Sequence, residues 1–116
     1  MKIIIAGSRD FDDYELLRKY CDYVLQNQVN IEIVSGTAKG ADQMGEKYAK
    51  EKGYKITRFP ADWSKGKSAG YIRNEEMAKY ADALIAFWNG YSKGTEHMIN
   101  LANKYNLKIR VCNYTI

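Results

Sequence analysis

Five short strand-like stretches alternate with four longer stretches in which apolar residues return every three or four positions. The five are Lys2 to Ala6, Ile31 to Ser35, Tyr54 to Phe59, Ala83 to Trp88 and Leu107 to Cys112. Ile3, Ile4 and Ile5 stand in a row, and Ala83 to Trp88 carries no charge, so the first and fourth strands are expected to be covered on both faces. The first helix is predicted over Tyr14 to Asn27, with Leu17, Cys21, Val24 and Leu25 as its apolar stripe and Asp10, Asp12 and Asp13 as candidate caps. The second runs to about Lys52 with Ala41, Gly45, Tyr48 and Ala49 inward, small enough for close approach to a sheet. Gly53 stops it, and Pro60 ends the third strand. A loop from Ala61 to Ala69 holds Asp62, Trp63 and Gly66. A third helix, Gly70 to Tyr80, groups Ile72, Met77 and Tyr80. A fourth, Thr95 to about Tyr105, turns Met98, Leu101, Ala102 and Tyr105 inward, with Thr95 as its N-cap. Nothing reads as linker, repeat or low-complexity sequence, so residues 1–116 are expected to form one domain.

Strands and helices that alternate through short turns imply an α/β fold: a parallel sheet with helices on both faces. Ligands in such sheets lie outside the carboxyl ends of the strands. Gly7-Ser8, the turn from Ser35-Gly36 to Gly40, and Asn89 to Thr95 all fall at that edge. Glycines needed only to stop helices would follow them, as Gly53 does. Backbone N–H groups and helix dipoles converge on such turns and favour an anion.

The turn from Gly36 to Asp42 lacks both the P-loop spacing and the three-glycine dinucleotide fingerprint. It reads as a generic phosphate or ribose cradle, or else as a tight turn with close helix packing. Asp42 either stabilises the first turn of its helix or hydrogen-bonds a ligand ribose. Arg9 either pairs with Asp10 or Asp12 on the surface or contacts phosphate. Arg73, early in its helix, is placed to reach the same crevice from outside the core. His97, the sole histidine, lies one position off the inner stripe and is expected to be partly exposed. Trp88 ends a core strand and is expected to be packed, whereas Trp63 stands in a loop as a candidate base platform.

Charge and composition narrow the picture further. Eighteen basic against fourteen acidic residues give a formal charge of +4, with no dominant block of Lys or Arg. A nucleic-acid footprint would show as a clustered stripe, so the sequence argues against that partner. Cys21 and Cys112 have no Cys or His at zinc spacing, which points to packing; no metal and no cofactor is expected. No leader precedes the first strand, and no apolar run approaches ~20 residues, so a cytoplasmic protein without membrane contact is the expectation. Self-association into a homodimer stays open.

At these residues the chain resembles a family. Gly7-Ser8-Arg9-Asp10-Phe11, Ser35-Gly36 with Gly40-Ala41-Asp42, Pro60-Ala61-Asp62-Trp63, Ala69-Gly70 with Arg73-Asn74 and Met77, Ala81-Asp82 and Gly94-Thr95 run in order along it. Together they look like the SLOG superfamily shared by Smf/DprA and LOG proteins, and more narrowly its YspA/YpsA-related branch of small bacterial and phage proteins. The resemblance implies a Rossmann-like three-layer sandwich and a nucleotide or nucleotide-derived ligand, such as an ADP-ribose or NAD fragment, across the Gly-rich turns. It implies ligand contacts at Gly7, Ser8, Arg9, Ser35, Gly36, Gly40, Ala41, Asp42, Trp63, Arg73, Asn74, Gly90, Ser92, Gly94 and Thr95. LOG enzymes cleave the N-glycosidic bond of nucleoside monophosphates using an Arg, matched here by Arg73, and a Pro-Gly-Gly-x-Gly-Thr-x-x-Glu loop. Gly90, Gly94 and Thr95 fit part of that loop, but Met98 stands where its Glu belongs and Asn89 where its proline belongs. Ligand binding is therefore the leading expectation and catalysis is left unassigned. The alternatives are a nucleoside-monophosphate N-glycosidase with a carboxylate such as Asp42 or Glu96, and a single-stranded DNA-binding module of Smf/DprA type.

Overall fold

The computed structural model describes residues 1–114. Five strands, β1 (Lys2–Gly7), β2 (Glu32–Ser35), β3 (Lys55–Arg58), β4 (Ala83–Trp88) and β5 (Lys108–Asn113), form a parallel sheet in the order β3-β2-β1-β4-β5. Four helices, α1 (Tyr14–Leu25), α2 (Ala41–Lys52), α3 (Ala69–Tyr80) and α4 (Lys93–Lys104), connect them, with a short 3-10 helix at Trp63–Lys65. This is the expected Rossmann-like α/β sandwich.

The alternation of side chains along β1 divides the core. Ile3 and Ile5 pack with Ile33, Ile85 and Phe87 against Leu17, Cys21 and Leu25 of α1 and Tyr48 and Ala49 of α2. Ile4 and Ala6 point the other way, with Val34, Leu84 and Ala86, onto Met77 and Ala78 of α3 and Met98, Leu101 and Ala102 of α4. The run of isoleucines is thus one strand serving two cores at once, as strand periodicity requires. Each buried side chain of this size contributes roughly 1.5–3 kcal/mol. The small inner face of α2 has the predicted use: a Cβ on Gly45 would meet Ile5 Cβ at 2.8 Å.

Two local readings change. Ile72 is exposed, because the inner face of α3 is Ala69, Arg73, Asn74, Met77 and Ala78. Two polar residues on that stripe disguised its phase. Helix α4 begins two residues before Thr95, capped by Ser92, whose Oγ accepts from Thr95 N at 3.3 Å. Thr95 is buried, with its hydroxyl 2.9 Å from that of Ser92. Among the described residues no helix is long and apolar enough to cross a membrane.

Candidate functional site

The chain leaves β1 toward β2 and β3, then crosses to β4 on the other side of β1. The order of strands reverses there, and loops on the two sides must part. Ser8 sits at the parting point, with its N–H on Phe87 O (3.0 Å) and its hydroxyl accepting from Asn89 N (3.3 Å). A crevice of about 400 Å³ opens beside it.

Of the residues expected to touch a ligand, Gly7, Ser8, Arg9, Asp42, Arg73, Asn74, Ser92, Gly94 and Thr95 line this crevice. Gly36 and Trp63 line an adjoining trough of about 630 Å³, which shares Arg9 and Arg73 with the crevice. Ser35, Gly40, Ala41 and Gly90 line neither and act on its shape. Ser35 Oγ donates to Glu46 (2.6 Å) and accepts from Thr37 N (3.0 Å), which folds the turn. Gly40 caps α2 at φ +81°, where a Cβ would fall on Ser8 O. Ala41 is buried beneath Gly7, and Gly90 is an exposed turn residue at φ +86°.

The sequence reading passed over Asp10, which lines the crevice while Asn89 Nδ2 (3.1 Å) and Tyr114 Oη (2.6 Å) donate to it. Its signal was its place directly after Gly-Ser-Arg, and reading it as a helix cap hid that; the cap of α1 is Asp13. Met77 and Met98 form an apolar part of the lining. Met98 is 1% exposed, so the helical position that holds a Glu in LOG enzymes here belongs to the core. Glu96 is exposed and does not line the crevice.

The floor is a pair of buried opposite charges. Asp42 is 5% exposed, and Oδ2 accepts from Ala38 N at 3.2 Å. Burial pushes its carboxyl up to about 6, against the Ala38 and Gly7 amides and the Arg73 charge, which all favour ionisation. Arg73 is 9% exposed, which corrects its expected place outside the core. Its Nη1 donates to Gly36 O and its Nε to Asn74 Oδ1 at 3.0 Å, while burial lowers its pKa. Asp42 and Arg73 face each other across Gly36, where a Cβ would stand 2.8 Å from Asp42 Oδ2 and 3.0 Å from Arg73 Nη1. Gly36 is therefore required by close approach. Among the described residues Arg9 joins no ion pair, so the surface pairing with Asp10 or Asp12 does not form.

Helix α2 is preceded by Gly40, which offers no capping side chain, and the one acidic group in its first turn is the buried Asp42. The first turn of α4 arrives from the opposite side with Gly94 and Thr95. The third element is aromatic. Trp63, 58% exposed, lies with Arg9, Lys67 and Tyr71 around a smaller trough of about 200 Å³. Trp63, Lys67 and Tyr71 stand four residues apart along the chain, a local cluster that the charge reading did not single out, and the fold brings Arg9 to them. As expected, Trp88 is packed, its Nε1 donating to Ser92 O at 3.1 Å, and His97 is half-buried. No group of three or more potential metal ligands occurs among the described residues.

Comparison with known proteins places this geometry in context. The model of the YspA, cpYpsA-related SLOG family matches residues 1–66. The Gene 61 protein of Mycobacterium phage D29 is 32% identical over 116 residues, covering 93% of each chain. Among solved structures, DNA processing protein A of Helicobacter pylori, described for its single-stranded DNA binding mode, superposes with a TM-score of 0.69 at 19% identity. That match covers the whole of this chain and 66% of the Helicobacter chain, and at this identity it shows a shared fold.

Proposed function

The chain belongs to the YspA, cpYpsA-related SLOG family, and on that premise we propose that residues 1–116 act as one unit that binds a nucleotide or nucleotide-derived small molecule. The observation that carries this reading is the convergence of Arg9, Arg73 and the N-termini of α2 and α4 on one crevice at the switch point. The phosphate lies against Arg73 and the first turn of α4, where fixed N–H groups and a fixed guanidinium meet it without reorganising. Ser8 and Asp42 supply hydroxyl and carboxylate for ribose, and Trp63 offers its exposed face to a base across the trough that shares both arginines. Trp63 and Arg9 differ in role accordingly: one holds a base by stacking, the other holds charge.

The test is thermal unfolding with nucleoside mono- and diphosphates, NAD fragments and ADP-ribose. A ligand at a hundredfold excess over its dissociation constant stabilises by about 2.7 kcal/mol. No shift with any of them at millimolar concentration would refute the reading.

A second reading, binding of single-stranded DNA, is favoured by one observation: the trough formed by Arg9, Trp63, Lys67 and Tyr71. Stacking on Trp63 and Tyr71 beside cations would hold a strand with little sequence preference and with strong salt dependence. Titration of an oligothymidylate at two salt concentrations separates the readings. Salt-dependent binding lost in Trp63→Ala, with no mononucleotide effect, selects DNA.

A further inference from the structure

The side chain that holds Arg73 is itself held. Asn74 Oδ1 accepts from Arg73 Nε at 3.0 Å, and Asn74 Nδ2 faces Gly94 O at 3.4 Å and His97 Nδ1 at 3.3 Å. The orientation of the amide is fixed twice over. Arg73 Nε–H is a donor and needs the Asn74 oxygen, whereas Gly94 O is an acceptor and needs the Asn74 nitrogen. His97 Nδ1 must then accept, so the imidazole is neutral with its proton on Nε2. Tyr71 packs against the ring at a centroid distance of 4.3 Å, tilted 49° to it, and restricts its rotation.

We propose that His97 is a positioning residue for the anion site: by accepting from Asn74, neutral His97 locks the amide that locks Arg73, and its protonation releases that lock. This rests on the reading of Arg73 as the anion-holding side chain. A proton on Nδ1 would face the N–H groups of Asn74. Turning the amide over cannot relieve this, because the flip would set Nδ2 against Arg73 Nε–H and Oδ1 against Gly94 O. Arg73 would keep its bond to Gly36 O and lose the one that sets the plane of its fork.

The surroundings of the ring are consistent with a neutral imidazole. Burial lowers its pKa, opposed by Glu75 of α3, whose carboxylate also accepts from Tyr105 Oη and pairs with Lys104. From α3 the ring faces Tyr71, Asn74 and Glu75; beneath α4, β1, β4 and β5 present Ile4, Ala6, Leu84, Ala86, Ile109 and Val111. Lys93 and Glu96 belong to its own helix and Arg9 and Asp42 to the crevice beyond Arg73.

Plain electrostatics and the lock predict opposite signs. A positive imidazole near the crevice would draw an anion in; the lock weakens anion binding as His97 gains its proton. The probe is sulfate, which does not titrate in the working range, measured calorimetrically from pH 8 to 4.5 on wild type, His97→Gln and His97→Phe. His97 protonation is followed on its own imidazole resonance, unambiguous for a sole histidine. Gln supplies a non-titrating acceptor, so wild type and His97→Gln should match at pH 8. As His97 titrates, wild type should fall roughly three- to tenfold below His97→Gln, about the worth of one hydrogen bond. Asp42 titrates in both proteins and cancels in the ratio. His97→Phe, which keeps an aromatic ring against Tyr71 without an acceptor, should bind weakly at every pH. A ratio that stays constant, or rises on acidification, overturns the proposal. If sulfate binds none of the proteins, the Arg73 Nε–H resonance, assigned by its loss in Arg73→Lys, decides. Faster exchange as His97 protonates sustains the lock and refutes the crevice reading, whereas an unmoved resonance refutes the lock.

Discussion

Asp42 gives the sharpest physical prediction. Its carboxyl ordinarily ionises near 3.8, and burial raises it to about 6. The folded state therefore holds a proton that the unfolded chain has released between these values. The sign follows from linkage: this group's contribution is fully present below 3.8 and is lost as pH rises through about 6. The full span between 3.8 and about 6 is worth about 3 kcal/mol at 1.36 kcal/mol per unit. Between pH 7 and pH 5, about 1.3 kcal/mol of it should return. Asp42→Asn has no such proton to bind. Urea unfolding of both proteins at pH 7, 6 and 5 gives the difference directly. Wild type should gain about 1.3 kcal/mol on the variant over that interval, whatever the variant's absolute stability. The lowered His97 pKa works the other way, since its contribution fades as pH falls from 6.5, but both proteins share it. A flat difference, or wild type losing ground on acidification, would mean that Asp42 is not desolvated and that the crevice floor is wet.

Arg73→Ala should weaken nucleotide binding by about 1.5–3 kcal/mol, read by calorimetry with whichever ligand stabilises wild type. Because Arg73 also bonds Gly36 and Asn74, the same variant should lose about 1–3 kcal/mol of stability in urea; unchanged stability would place the guanidinium outside the floor. Gly40→Ala forces a side chain into φ +81° and onto Ser8 O, and should cost about 2–4 kcal/mol of stability. Wild type should release no free base from adenosine, guanosine or cytidine monophosphate, because Met98 is buried where a carboxylate would serve glycosidic cleavage. Turnover that vanishes in Glu96→Gln would recruit that exposed carboxylate and refute the expectation.

Strands β1 and β4 were legible because burial on both faces writes itself as uncharged runs, and glycine-rich turns at strand ends wrote the edge where the candidate site lies. Which turn residues face a ligand was less legible. Gly40 and Gly90 carry the same composition signal as Gly36 and Gly94, yet only the latter two border open space at the site. One glycine serves through its φ and another through what approaches it, and both are written with the same letter. Ile72 misled for a related reason. Apolar periodicity assumes that the inner face is apolar, and α3 spends two inner positions on Arg73 and Asn74. The basic-aromatic trough was only half legible: Trp63, Lys67 and Tyr71 lie within nine residues of one another, but the remote Arg9 joins them only where the loop after β1 meets the start of α3.

That break in periodicity is itself informative. Asp42 and Arg73 are buried opposite charges, each held by neutral backbone or amide groups, and among the described residues neither closes on the other as an ion pair. Burial works against the charged form of both. Such an arrangement is weak as a source of stability, because replacing buried charges by apolar side chains of similar volume is often neutral or favourable. Under the proposed anion-binding role, what it supplies is readiness. Folding has already removed water from Arg73 and fixed two of its nitrogens, so an arriving anion meets donors that need little further ordering. Gly36 completes the logic, since any side chain there would part the two charges and close the floor between them. A residue pair that adds little stability, a glycine that keeps it close and an amide that aims it are together what the proposed preorganised anion site requires.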